Sequence, residues 1–103
     1  MVGVHAEWNI KPGKIPEFLA WKEMEGDLQR RAPGFVQRTL MQSRTDPNLF
    51  HYIAVWDNID ALETFAKSDI FAALKEKSPL KAEDHDVVIT RTDVHFILGP
   101  ASD

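Results

Sequence analysis

The sequence predicts an α+β domain, a four-stranded antiparallel sheet with helices packed on one face. Three observations lead there. Strand patterning marks Val2 to Ile10, Phe35 to Ser43, Leu49 to Trp56 and Asp86 to Leu98. Three- and four-residue spacing of apolar side chains marks helices after the first and third strands. Pro and Gly separate these segments, and 103 residues suit one domain, taken as residues 1–103.

In the first strand Val4, Ala6, Trp8 and Ile10 alternate with His5, Glu7 and Asn9, so the two sets point to opposite faces. Lys11-Pro12-Gly13-Lys14 breaks the pattern. Pro16 suits a first helical turn, and Phe18, Trp21, Met24 and Leu28 follow at helical steps. Arg30 and Arg31 complement a helix C-terminus and Pro33-Gly34 stops it, so this helix is expected over about Ile15 to Ala32. The second and third strands form a hairpin across Arg44-Thr45-Asp46-Pro47-Asn48. Asp57 or Asn58 can cap the next helix, whose stripe is Ile59, Leu62, Phe65 and Ala66. Ser68-Asp69 begins a short further helix, with Ile70, Phe71 and Leu74 facing inward and Ser78-Pro79 closing it. The order β-α-β-β-α-β with right-handed crossovers is the ferredoxin-like arrangement, with strand one between strands three and four.

Helices can cover only one face of such a sheet. The last strand nonetheless carries Val88, Val94, Phe96 and Leu98 on one side and Val87, Ile89 and Ile97 on the other. A domain of this size buries about 65% of its unfolded surface, so pairing two apolar sheet faces would help it. A symmetric homodimer is therefore expected. His5, Glu7 and Asn9 speak for the alternative, a wet sheet face on a monomer.

The net charge of −4, with 16 acidic and 12 basic residues, leaves no basic stripe for phosphates, and no nucleic-acid partner is expected. The absence of Cys excludes disulfides, thiolate metal sites and a Cys nucleophile, and suits the cytoplasm. The N-terminal residues lack the basic and apolar regions of a signal peptide, and no apolar run reaches membrane-spanning length. Disorder is expected only at the ends, as over Pro100 to Asp103. A glycine-rich phosphate loop, a G-x-S-x-G elbow, an H-E-x-x-H pair and internal repeats are all missing.

Several motifs in order do carry a resemblance. Pro12-Gly13-Lys14, Ala32-Pro33-Gly34-Phe35, Ser43 with Asp46-Pro47-Asn48, Trp56 with Ala61-Leu62, and Lys67-Ser68-Asp69-Ile70-Phe71 together resemble the antibiotic biosynthesis monooxygenase (ABM) domain family over roughly residues 2 to 80. The resemblance implies a dimeric α+β barrel, in which two sheets pack face to face. It also implies a small-molecule pocket between sheet and helices. Activities in the family include cofactor-independent oxygenation of quinol- or anthrone-like aromatics, haem degradation and isomerase-type chemistry, so fold transfers better than reaction.

Residue by residue, the haem-degrading branch fits poorly. Its Trp falls at Phe65, its iron-binding His near Lys75 and its strand-one Asn at about Ala6, although Asn9 is close by; a protonated lysine has no lone pair for iron. The oxygenase branch is similar at Trp56, with its polar contact becoming Tyr52 and its basic helix residue Lys75. Its strand-two histidine is replaced by Met41. Trp56, Trp8, Phe65 and Phe71 could then wall a flat aromatic substrate while Tyr52 and Lys75 steady a phenolate or quinone oxygen. Aromatic side chains at these spacings also fill cores, and a lysine on a short helix is by default a solvated charge.

His5, His51 and His95 fall on adjacent strands and would bind a metal only through a coincidence of register, so no metal is expected; hydrogen-bonded histidines partnered by Glu7, Arg91 or Asp93 are the plainer reading. His85 reads as loop surface. The expected function is cofactor-independent oxygenation of a small aromatic compound. A dimer that binds a small molecule without catalysis, and haem binding or degradation, are the alternatives. No general base is evident.

Overall fold

The computed structural model describes residues 1–97. Strands β1 (Val2–Ile10), β2 (Phe35–Gln42), β3 (Leu49–Trp56) and β4 (His85–Asp93) alternate with helices α1 (Ile15–Gln29), α2 (Ile59–Ala66) and α3 (Asp69–Glu76) in the order β-α-β-β-α-α-β. The sheet is antiparallel throughout, with spatial order β2-β3-β1-β4. Strand one lies between three and four, as the topology requires.

Local chemistry explains the boundaries. The Asn58 side chain accepts from Ala61 N–H at the start of α2, and Ser68 Oγ accepts from Phe71 N–H at the start of α3. Helix α1 ends three residues earlier than the sequence suggests, because Arg31 and Ala32 donate to Leu28 and Gln29 carbonyls in a tightened last turn. Gly34 then turns the chain with φ of 82°, and a Cβ there would meet Ala61 Cβ at 2.5 Å. β4 stops at Asp93, not Leu98, because its partner β1 begins at Val2; Val94 N–H makes one more bond to Met1 carbonyl and the ladder runs out. Leu98 and the Pro100 to Asp103 tail lie outside the described residues.

The covered face of the sheet packs against all three helices. Phe18, Phe50 and Ile10 are essentially inaccessible, and Phe18 stacks obliquely on both Trp8 and Phe50. Around Trp56 a second cluster gathers Val2, Leu62 and Phe65. Trp21 Nε1 donates to Leu74 carbonyl at 2.9 Å and so ties α1 to α3.

Two inward assignments change. Met24 is 43% exposed and Ile70 is 60% exposed, so neither joins the core. The buried face of α1 is instead Phe18, Trp21, Lys22, Glu25, Gly26 and Gln29. That set steps at three and four residues like any helical face, but half of it is polar. Met24 lies outside it because these polar groups face the sheet.

Among the described residues no helix packs on the opposite face of the sheet. Cross-strand partners share a face, which puts His5, Glu7, His51, Ile53, Met41 and Val88 together there. Met41, Ile53 and Val88 are exposed on it. Among the described residues no helix is long and apolar enough to cross a membrane.

Candidate functional site

A cavity of about 310 Å³ opens between the covered face of the sheet and the helices. Its wall is aromatic: Trp8 from β1, Tyr52 and Trp56 from β3, Phe65 from α2 and Phe71 from α3. The rings touch in sequence, with Phe65 centred 5.2 Å from Trp56 and 5.0 Å from Phe71. Lys75 stands at the rim, exposed, its Nζ 5.2 Å from the Phe71 ring centroid. Six of the seven residues singled out from sequence therefore line one cavity.

Met41 does not. It pairs with His51 on the uncovered face, whereas its neighbour Leu40 pairs with Tyr52. The cause is a β-bulge between Phe35 and Gln37, which admits Val36 as an extra residue. Simple alternation from Phe35 would send Gln37, Thr39 and Met41 inward; the bulge exchanges the faces and sends Arg38 and Leu40 there instead.

At one end of the cavity four polar side chains converge. Lys22, Glu25 and Gln29 come from successive turns of α1 and are each no more than 6% exposed. Lys22 Nζ donates to Glu25 Oε1 at 3.1 Å, and sits 4.2 Å from the Tyr52 ring centroid and 4.8 Å from that of Trp8. Gln29 Nε2 donates to Tyr52 Oη at 2.7 Å, and Tyr52 Oη lies 3.1 Å from Gln29 Oε1. Arg38 Nη1 donates to Lys22 carbonyl at 2.7 Å, approaching α1 where Gly26 has no side chain to obstruct it.

Burial governs the charge states. Desolvation pushes the Lys22 ammonium below its usual pKa, against the opposing pull of the Glu25 carboxylate. Tyr52 is pushed above the usual phenol value by burial and then by the Glu25 charge, which keeps it a neutral donor. Among the described residues Trp8 Nε1 is the one buried side-chain polar atom with no hydrogen-bond partner. A wall residue with a spare donor beside a buried cation suits an acceptor oxygen on a flat ligand.

Sequence reasoning missed Lys22, Glu25 and Gln29 because charged and amide side chains on a helix read as its solvent face. Only their spacing with Phe18 and Trp21 marked them. A larger hollow of about 540 Å³, between the end of α1 and α2, is lined by Arg31, Asp57, Asn58 and Ser68 with Phe65 as its one aromatic among the described residues, and Asn58 and Ser68 already serve as helix caps. Among the described residues no histidine lines the 310 Å³ cavity, and Ala6 lies on its strand-one wall, so the donor set does not fit a haem iron there.

The histidines separate. His95 lies beyond the end of β4 and exposed, whereas His5 Nε2 and His51 Nδ1 are 3.4 Å apart on the uncovered face. His85 begins β4 and is not loop surface, with Nδ1 3.0 Å from Lys81 carbonyl and its ring 5.6 Å from that of Trp8.

The family model for antibiotic biosynthesis monooxygenase matches residues 1–77. The chain belongs to the ABM family. An uncharacterized protein of Synechocystis sp. is 31% identical over 70 residues, 68% of this chain and 48% of the relative, so the chain spans about half the length of that curated relative. Among solved structures, SnoaB, a cofactor-independent oxygenase from Streptomyces nogalater, aligns with a TM-score of 0.78 at 21% identity, over 96% of this chain and 97% of SnoaB. An antibiotic biosynthesis monooxygenase aligns with a TM-score of 0.75 at 23% identity over 92% and 99% of the two chains. A conserved protein from Methanosarcina mazei gives 0.66 at 21% over 89% and 92%. At these identities the ABM structures establish a shared fold.

Proposed function

We propose that this ABM-family protein is a cofactor-independent monooxygenase acting on a small, flat aromatic compound of quinol or anthrone type. The observation that carries the reading is the meeting, in one 310 Å³ cavity, of an aromatic wall with the buried Lys22–Glu25 pair. The likeness to SnoaB supports the reaction class. Trp8, Trp56, Phe65 and Phe71 would sandwich the rings, and Tyr52 and Trp8 Nε1 would donate to a carbonyl or hydroxyl oxygen.

Direct reaction with O₂ needs an electron-rich phenolate or carbanion. Lys22 has the character such a step requires: burial disfavours its ammonium, so it exchanges a proton more readily than an exposed lysine, and as a cation it stabilises a developing oxyanion. Glu25, 3.1 Å away, orients the Lys22 amine toward the cavity. For an anthrone-type CH₂, one O₂ places one oxygen in the new carbonyl and releases the other as water, so no external reductant is consumed. Lys75 at the rim would attract an anionic form of the substrate.

The protein would work as a cytoplasmic homodimer. Met41, Ile53 and Val88 leave apolar surface on the uncovered face that a second sheet would bury. Ala6, standing where an amide side chain would otherwise reach the cavity, favours the second reading, a dimer that holds an aromatic metabolite without turning it over. Oxygen uptake over a panel of quinols and anthrones, with Lys22→Met and Trp56→Ala as controls, is the test. Uptake by the parent protein that falls in both variants is the expected result. Thermal stabilisation by panel compounds without uptake above the uncatalysed rate would replace oxygenation with binding, and neither effect would remove both readings.

A further inference from the structure

The geometry points to a divalent transition-metal site on the uncovered face of the sheet, formed by His5, Glu7 and His51 and separate from the aromatic cavity. β1 and β3 are the two central strands, and their register places Glu7 directly opposite His51 and His5 opposite Ile53. His5 and Glu7 are two residues apart on one strand, so all three side chains leave the same face. The coincidence of register that three strand histidines would have needed is met by two histidines and a carboxylate, on two strands instead of three.

Two of the three donor separations approach those of a coordination sphere. A tetrahedral zinc ion with bonds of about 2.0–2.1 Å holds two nitrogens about 3.3–3.4 Å apart. His5 Nε2 and His51 Nδ1 are 3.4 Å apart, and His51 Nδ1 lies 3.6 Å from Glu7 Oε1. One donor atom from each residue falls within 4.8 Å of the other two. A contact of 3.4 Å between ring nitrogens is long for a hydrogen bond, and 3.6 Å to a carboxylate oxygen is beyond one.

The chemistry of the set narrows the ion. Two imidazoles and one carboxylate suit Zn²⁺, Co²⁺, Ni²⁺ or Cu²⁺, whereas Mg²⁺ and Ca²⁺ prefer oxygen alone. Three protein ligands leave a fourth position for water or for a group from another molecule. In a single chain the Glu7 and His51 side chains are 46% and 34% exposed. Ile53 and Val88 flank the set on the same face.

Cobalt gives the decisive readout, because its visible absorption reports ligand type and geometry. Titrating the full chain with Co²⁺ should saturate near one ion per chain with a tetrahedral or five-coordinate d–d band, and Zn²⁺ should displace it. Zn²⁺ should also raise Tm, with Mg²⁺ inert. His51→Ala should abolish the band and the Tm shift, and Glu7→Gln should weaken binding about tenfold or more, as loss of one ligand costs at least about 1.4 kcal/mol. All three side chains are outside the core, so circular dichroism of each variant should match the parent. No band in the parent, or an equal Zn²⁺ response in parent and His51→Ala, would overturn the site. Neither measurement requires oxygenase activity, so failure of the proposed reaction leaves the result readable.

Discussion

The two faces of this one sheet follow opposite rules. The covered face excludes water and yet retains charge: Lys22 and Glu25 lie against it among Trp8, Trp21 and Tyr52. The uncovered face meets water and yet retains apolar side chains, Met41, Ile53 and Val88, beside a His–Glu–His cluster. Buried charge costs free energy unless paired, and exposed apolar area costs free energy unless covered. Each face thus carries groups that ordinary folding would place on the other.

Truncation measures the contrast most directly. Phe18→Ala on the covered face should destabilise the domain by about 3–5 kcal/mol in denaturant titrations, since Phe18 is inaccessible to solvent. Ile53→Lys on the uncovered face should leave the stability of a single chain within about 0.5 kcal/mol. The same substitution should weaken self-association about tenfold or more in sedimentation velocity, because a charge would be buried between two copies. A parent protein that sediments as one chain at micromolar concentration would remove the dimer and leave the uncovered face to the metal cluster alone.

The charge pair is the next contrast. Glu25→Gln strips Lys22 of its anionic partner and should cost about 3 kcal/mol. Glu7→Gln, an exposed carboxylate on the other face, should cost less than about 0.5 kcal/mol without metal. Equal costs would mean that water reaches Lys22 freely.

Alkaline titration separates two groups of the cavity. Lys22 is lowered from 10.5, so over the interval from its folded value up to 10.5 the unfolded chain binds a proton the native chain lacks, and stability rises with pH. Tyr52 is raised from 10.0, so above pH 10.0 the unfolded chain loses its phenolic proton first, and stability falls with pH. Lys22→Met should erase the rise and Tyr52→Phe the fall. Tyr52→Phe should also cost about 1 kcal/mol near neutrality for its bond to Gln29. The smallest effect belongs to local structure: Asn58→Ala removes the α2 cap and should cost about 1 kcal/mol without touching either face.

Much of the fold is written in local chemistry. β3 runs from Leu49 to Trp56, as its β-branched and aromatic run implies, and Asn58 and Ser68 cap the helices their side chains suit. The aromatic wall follows from the same patterns, since Trp8, Tyr52, Trp56, Phe65 and Phe71 sit at positions whose period turns them inward. Met41 could not be placed this way, because one bulged residue, Val36, reverses every side chain after it.

The sequence by itself determined the element order, the sheet topology, the aromatic half of the cavity and an uncovered apolar face, because propensity, capping and periodicity act over a few residues. Tertiary structure alone decided that α1 buries Lys22, Glu25 and Gln29, that Met41 leaves the cavity, and that Glu7 takes the third place beside His5 and His51. Those outcomes depend on what lies across a gap or in the next strand: a buried charge is tolerable only beside its partner, and a shared face exists only once register is set.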